Sequence, residues 1–182
     1  MLRTPLACCA ALLFGAATAL YAGQDSSSLA ESERIWLAAH NQARAEFGSE
    51  PLRWSPALAE AARSWALTLA ARQELRHAER DNRGGAGENL WMGTRGHFGP
   101  EQMVASFVGE REHFVAGRFP QVSRTGNWGD VGHYTQIVWP STREVGCAQA
   151  SGGRFDVLVC RYWPAGNLVG TYLAPGERFA AN

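Results

Sequence analysis

The chain has 182 residues, 17 basic against 17 acidic, and a formal net charge of zero. That length builds one domain with a real core and falls short of two. The charge balance excludes the electrostatic footprint of a nucleic-acid binder and the polybasic patch of a membrane-surface protein. Every basic residue is arginine, which reads as a coding bias of a GC-rich genome and not as function.

Residues 1–23 have the pattern of a secretory signal peptide. Arg3 gives a small positive start, Leu6 to Leu20 is almost wholly apolar or small, and cleavage is expected near Ala17-Thr18-Ala19 or Tyr21-Ala22-Gly23. The run is short for a membrane span, so no stable span is expected once the signal is removed; an uncleaved anchor is the alternative. Cys8 and Cys9 precede the bulk of the apolar run, the wrong order for lipid attachment. Removal of the signal leaves Cys147 and Cys160, and a remaining pair in an exported protein reads as one disulfide.

Residues 24–30 form a polar serine-rich spacer, and the main domain is expected over 31–176, with 177–182 as a loose tail. A helix is predicted from about Leu29 to Phe47, capped by Ser27 or Ser28 and ended by Gly48. His40 and Arg44 share one of its faces. Pro51-Leu52-Arg53-Trp54 is an extended connector. Ser55-Pro56 then gives an N-cap and first-turn proline, followed by Leu58, Ala62, Trp65 and Leu69 as one buried stripe. This helix frays near Leu75 to Ala78, where His77 appears. Asp81 to Gly87 is turn-rich and leads into Glu88, read as lying in a glycine-flanked loop.

Pro100 opens a further helix, expected to run to about Gly117. Its apolar stripe is Met103, Phe107 and Phe114, and Glu110 occupies the missing position. A carboxylate on a buried stripe is costly unless a cation or donors meet it, or unless the helix shifts locally to bring it to water. Phe119 to Val131 reads as a long loop. Tyr134 to Trp139 is a strongly β-forming run with His133 at its mouth and Pro140 ending it. Val145 to Ala150 and Phe155 to Trp163 form a hairpin. If Gly153-Arg154 is its two-residue loop, Cys147 falls opposite Cys160 in a non-hydrogen-bonded pair, with Cα atoms about 4.5 Å apart, within disulfide range.

His77, Glu88, Glu110 and His133 are scattered along the chain, and no local metal motif joins them. Several longer motifs carry a resemblance instead. Gly132-His133-Tyr134-Thr135-Gln136-Ile137-Val138-Trp139 and the run Val157 to Leu168 are similar to the two signatures of the CAP superfamily, the cysteine-rich secretory, venom-allergen and pathogenesis-related proteins. His40-Asn41-x-x-Arg44, Pro51-Leu52-x-Trp54 and Gly87-Glu88-Asn89-Leu90 match its other landmarks in order. The resemblance implies an α+β fold, a three-layer α-β-α sandwich around a small antiparallel sheet. It also implies a cleft lined by His77, Glu88, Glu110 and His133, suited to zinc or another divalent cation, or with the glutamates orienting the histidines. The family often has tryptophan where Phe107 stands, and many eukaryotic relatives carry three disulfides where this chain can form one. Composition and minimal length fit a bacterial member.

The resemblance supports a secreted, extracellular or periplasmic protein and three functions. The first is binding of a lipid, sterol or other small apolar ligand, with Trp91, Phe98, Met103 and Phe107 as the residues to inspect and plain core packing as their ordinary explanation. The second is metal-dependent, protease-like hydrolysis at the cleft. Ser106 is the serine candidate for it and has no identifiable base partner. The third is a signalling or defence module acting through its surface. Plant relatives release a C-terminal peptide after a Pro-x-Gly-Asn segment; Pro164-Ala165-Gly166-Asn167 is present here, but the tail beyond departs from that pattern. Whether the protein is an enzyme at all stays open, since fold similarity cannot establish a reaction.

Overall fold

The computed structural model describes residues 17–176. The start of the signal segment, with Cys8 and Cys9, and the tail 177–182 lie outside them. The chain divides into residues 1–32 and 33–182. In the first unit the described residues are helical, the beginning of helix α1 (Ala17–Phe47). The helix predicted from Leu29 is therefore continuous from Ala17, because serine is only a mild helix breaker and no proline interrupts the spacer.

The second unit is built on a four-stranded sheet of order β1-β4-β5-β2. Its strands are β1 (Arg53–Trp54), β2 (Gly87–Thr94), β4 (Glu144–Gly152) and β5 (Phe155–Trp163). The three long strands pair antiparallel, while β1 joins β4 parallel, so the sheet is mixed. A two-stranded ribbon, β3 (Gly117–Arg118) with β6 (Tyr172–Leu173), lies outside it. The β4–β5 hairpin has the register expected of a Gly153-Arg154 loop. Cys147 faces Cys160 and the two are joined, with Cα atoms 4.0 Å apart.

Each face of the sheet is covered. Helix α2 (Pro56–Arg72) packs Ala62, Ala66, Leu69 and Ala70 against Leu90, Ala148, Val157 and Val159. The buried face of α2 is mostly alanine: Leu58 and Trp65, expected on the stripe, are half-buried at its margins. Small side chains let the helix sit close, and a Cβ on Gly146 of β4 would stand 2.2 Å from the Ala59 nitrogen. Ser55 holds the N-cap position without a side-chain hydrogen bond, and the helix ends at Arg72, three residues short of the predicted fraying point at Leu75.

The other face is covered by α1, α3 (Pro100–Gly109) and α4 (Gly132–Ile137), whose Trp36, Phe47, Met103, Phe107, Tyr134 and Ile137 form the larger core with Leu158 and Tyr162. Helix, sheet, helix is the expected three-layer sandwich. Gly48 ends α1 at φ +94°, and its N–H bonds back to the Arg44 carbonyl at 2.9 Å.

Two segments differ from their sequence reading. Glu88 lies on strand β2, not in a loop. The run from Tyr134, predicted as a strand, is helix α4. Its β-forming residues are all buried, and tertiary partners satisfy both helix ends. Glu110 accepts the N–H groups of His133 and Tyr134 at 2.9 and 3.1 Å. At the other end Arg44 donates to the carbonyls of Ile137, Trp139 and Thr142 at 2.7, 2.9 and 3.1 Å. An anion at the first turn and a cation at the last complement the helix dipole and outweigh β propensity.

Candidate functional site

The four candidate residues come together as two pairs. His77 follows α2 and Glu88 is the second residue of β2; His77 Nδ1 stands 2.7 Å from Glu88 Oε1. The same oxygen accepts the Ala78 N–H at 3.0 Å. Glu88 has no exposed side-chain surface, and Arg161, directly opposite on β5, places Nη2 2.9 Å from Oε2. That contact is an ion pair by distance, yet Oε2 has no hydrogen-bond partner of good geometry. We read it as a bent contact that still neutralises the buried charge.

The second pair joins α3 and α4. The predicted long helix stops at Gly109 and tightens into a 3-10 turn, Glu110–His113, so Phe114 falls outside it. Both sequence readings of Glu110 thus apply: the helix shifts locally, and donors meet the carboxylate. His133 Nδ1 lies 2.5 Å from Glu110 Oε1, while Oε2 takes the two N–H groups of α4. Phe107 stacks on the His133 ring, centroids 4.7 Å apart and planes 27° from parallel.

Each imidazole therefore directs Nδ1–H at a glutamate and leaves Nε2 without a protein partner among the described residues. A neutral ring donating from Nδ1 presents a lone pair at Nε2. Both histidines line one cleft of about 710 Å³; Glu88 is also in its lining, and Glu110, bonded to His133, is not. No three of the four bring ligand atoms within 4.8 Å of one another. The group that does, His40 with Cys147 and Cys160, offers no thiolate, because its sulfurs are bonded to each other. With the glutamate oxygens taken, the lone pairs left open are those of the two Nε2 atoms.

A buried network backs the cleft. His40 Nδ1 donates to the Trp36 carbonyl at 2.7 Å and Nε2 accepts from the Tyr162 hydroxyl at 2.8 Å. Asn89 Nδ2 reaches both Tyr162 and the His133 carbonyl, at 3.0 and 3.1 Å. Burial pushes the His40 pKa down to about 4 and raises that of Tyr162 well above its ordinary value.

Sequence reasoning did not single out Arg161, Asn89 or Tyr162 as supports of the site. Arg161 was findable: a charge flanked by Cys160 and Tyr162, after the apolar run Val157 to Val159, has to meet a buried partner.

The four residues named for an apolar ligand do not line this cleft. Met103 and Phe107 are core, 0 % and 2 % exposed. Trp91 and the exposed Phe98 pack edge to face, centroids 5.2 Å apart, over Gly93. The apolar part of the cleft comes instead from Phe119, Pro120, Trp128, Leu168 and Val169. Ser106 donates to the Met103 carbonyl at 2.7 Å and faces no base. The glutamate oxygens are committed to donors or cations, which leaves neither poised as a general base.

Residues 37–162 match the family model described as the cysteine-rich secretory protein family, CAP. Pathogenesis-related protein 1C of Nicotiana tabacum is 37% identical over 142 residues, covering 76% of this chain and 79% of its own. Fruiting body protein SC14 of Schizophyllum commune is 34% identical, covering 81% of this chain and 69% of its own. Among solved structures, NaASP2 with Zn2+ superposes at TM-score 0.68 and 25% identity over 82% of this chain and 89% of that one. Venom allergen-like protein 4 of Schistosoma mansoni shares the fold at TM-score 0.61 and 22% identity, over 81% and 97%.

Proposed function

The chain belongs to the cysteine-rich secretory protein family, and from that premise we propose that it is an exported binding protein whose cleft holds a divalent cation through Nε2 of His77 and His133, beside an apolar wall that takes a lipid or other small apolar ligand. One observation carries the metal reading: both histidines line the same cleft with Nε2 unpaired among the described residues, while a buried or half-buried glutamate meets each Nδ1. Glu88 and Glu110 set tautomer and orientation; they are positioning residues, not ligands. A bound zinc would supply a Lewis-acidic centre with solvent at its open positions. The relative NaASP2 was crystallised with Zn2+, which agrees with this assignment.

Export rests on the signal-like residues 1–23, the Cys147–Cys160 disulfide and the family's secretory character. Among the described residues no helix is long and apolar enough to cross a membrane. The apolar-ligand reading rests on Trp128, Leu168 and Val169, which line the cleft with 47%, 54% and 83% of their surface exposed.

Equilibrium dialysis against zinc at neutral pH, followed by elemental analysis, tests the cation site. One zinc per wild-type chain, and none in His77→Ala/His133→Ala, is expected. Equal zinc in both proteins would remove the site from the cleft.

A further inference from the structure

The same cleft carries two cations that the fold leaves without a counter-charge. Arg80 and Arg83 stand on the 3-10 turn Arg80–Arg83, between His77 and Glu88, and both line the cleft. Among the described residues neither forms a salt bridge. Glu88 is the single acid in the lining, and its charge is already spent on Arg161 and His77. Arg83 Nε is shielded from solvent and has no acceptor. Leaving such a donor unmet is unfavourable, and a guanidinium fork is matched to carboxylate or phosphate.

The apolar side of the lining lies in the same cavity, on Trp128, Leu168 and Val169. Its volume, about 710 Å³, suits one small ligand. The geometry points to an amphiphilic anion as that ligand: one carboxylate or phosphate head group held by Arg80 and Arg83, and an apolar body laid on Trp128, Leu168 and Val169. This assignment rests on the cleft being the apolar-ligand site proposed above, and it adds the sign of the head group.

Decyl phosphate, decyltrimethylammonium, 1-decanol and inorganic phosphate separate the contributions of head and chain. Each is titrated calorimetrically, below any micelle-forming concentration, into full-length mature protein stripped of metal. Wild type is compared with Arg80→Gln/Arg83→Gln and with Trp128→Ala, the fold of each being checked by circular dichroism. Decyl phosphate should bind about tenfold or more tighter than the other two decyl compounds and than inorganic phosphate. The double arginine variant should bring it down to the level of decanol and leave decanol unmoved. Trp128→Ala should weaken all three decyl compounds.

Equal binding of the three decyl compounds, insensitive to the arginines, would overturn the anionic head and leave the apolar-ligand reading standing. Binding of phosphate with no gain from the decyl chain would overturn the amphiphile together with that reading. Binding of none would overturn both.

Discussion

Glu110 acts at once as helix cap and histidine orienter. One oxygen holds the His133 ring and the other takes two backbone N–H groups at the start of α4. Glu110→Gln keeps the size but loses the charge and half of the acceptor capacity. It should lower zinc affinity by about 10- to 100-fold and cost about 1–3 kcal/mol of stability, measured by competition with a zinc chelator and by urea unfolding. Unchanged zinc affinity would mean that the glutamate does not orient the ring.

His40 is one residue through which acid destabilises the fold. Burial, opposed by the Trp36 carbonyl and aided by the Arg44 charge, lowers its pKa from 6.5 to about 4. Between those values the unfolded chain binds the proton and the folded chain does not. Its stabilising contribution is complete above pH 6.5 and is lost as pH falls toward 4, by about 3 kcal/mol. His40→Gln should flatten the stability profile over that window by a similar amount in urea unfolding at pH 7 and pH 4. Parallel profiles for the two proteins would contradict it.

Among the elements, α4 shows where local reading stops. Tyr134 to Ile137, four residues of the β-forming run, wind into a helix because Glu110 and Arg44, distant in sequence, satisfy its two ends. Propensity carries no information about partners that far away. The histidine and the carboxylate were both visible in the sequence, Glu110 through its place on an apolar stripe; that the one orients the other came only from the resemblance. The β4–β5 hairpin is the opposite case, since turn, register and cysteine pairing are all local, and there the sequence and the fold agree.

Replacing both cysteines with alanine reopens a link between residues 13 apart and should cost about 3 kcal/mol in denaturant unfolding under oxidising conditions. Gly146→Ala would put a Cβ 2.2 Å from the Ala59 nitrogen and 2.6 Å from the Ser55 carbonyl oxygen, both backbone atoms that cannot rotate aside. The helix must lift off the sheet, at a cost of about 1–3 kcal/mol read from the thermal midpoint.

For the whole molecule, the sandwich was legible because its landmarks each build a named contact. His40 reaches Tyr162, Arg44 caps α4, and Asn41 bonds both N–H and C=O of Leu52. The cleft was legible in part. His133 and Glu88 stand in the quoted motifs and His77 came only from the resemblance, whereas the apolar wall comes from the loops around Trp128 and Leu168, which have no periodicity to read. Of the large apolar residues singled out, Met103 and Phe107 are core, while Trp91 and Phe98 pair with each other outside the lining of this cleft.

In the proposed site the two imidazoles meet a cation through Nε2 while the glutamates keep Nδ1 protonated. Nitrogen-15 NMR of labelled histidine during a zinc titration reads both atoms at once. Nε2 of His77 and His133 should shift to metal-bound values together, with both Nδ1–H signals retained. Metal-dependent shifts at Nδ1, or none at either ring, would contradict it.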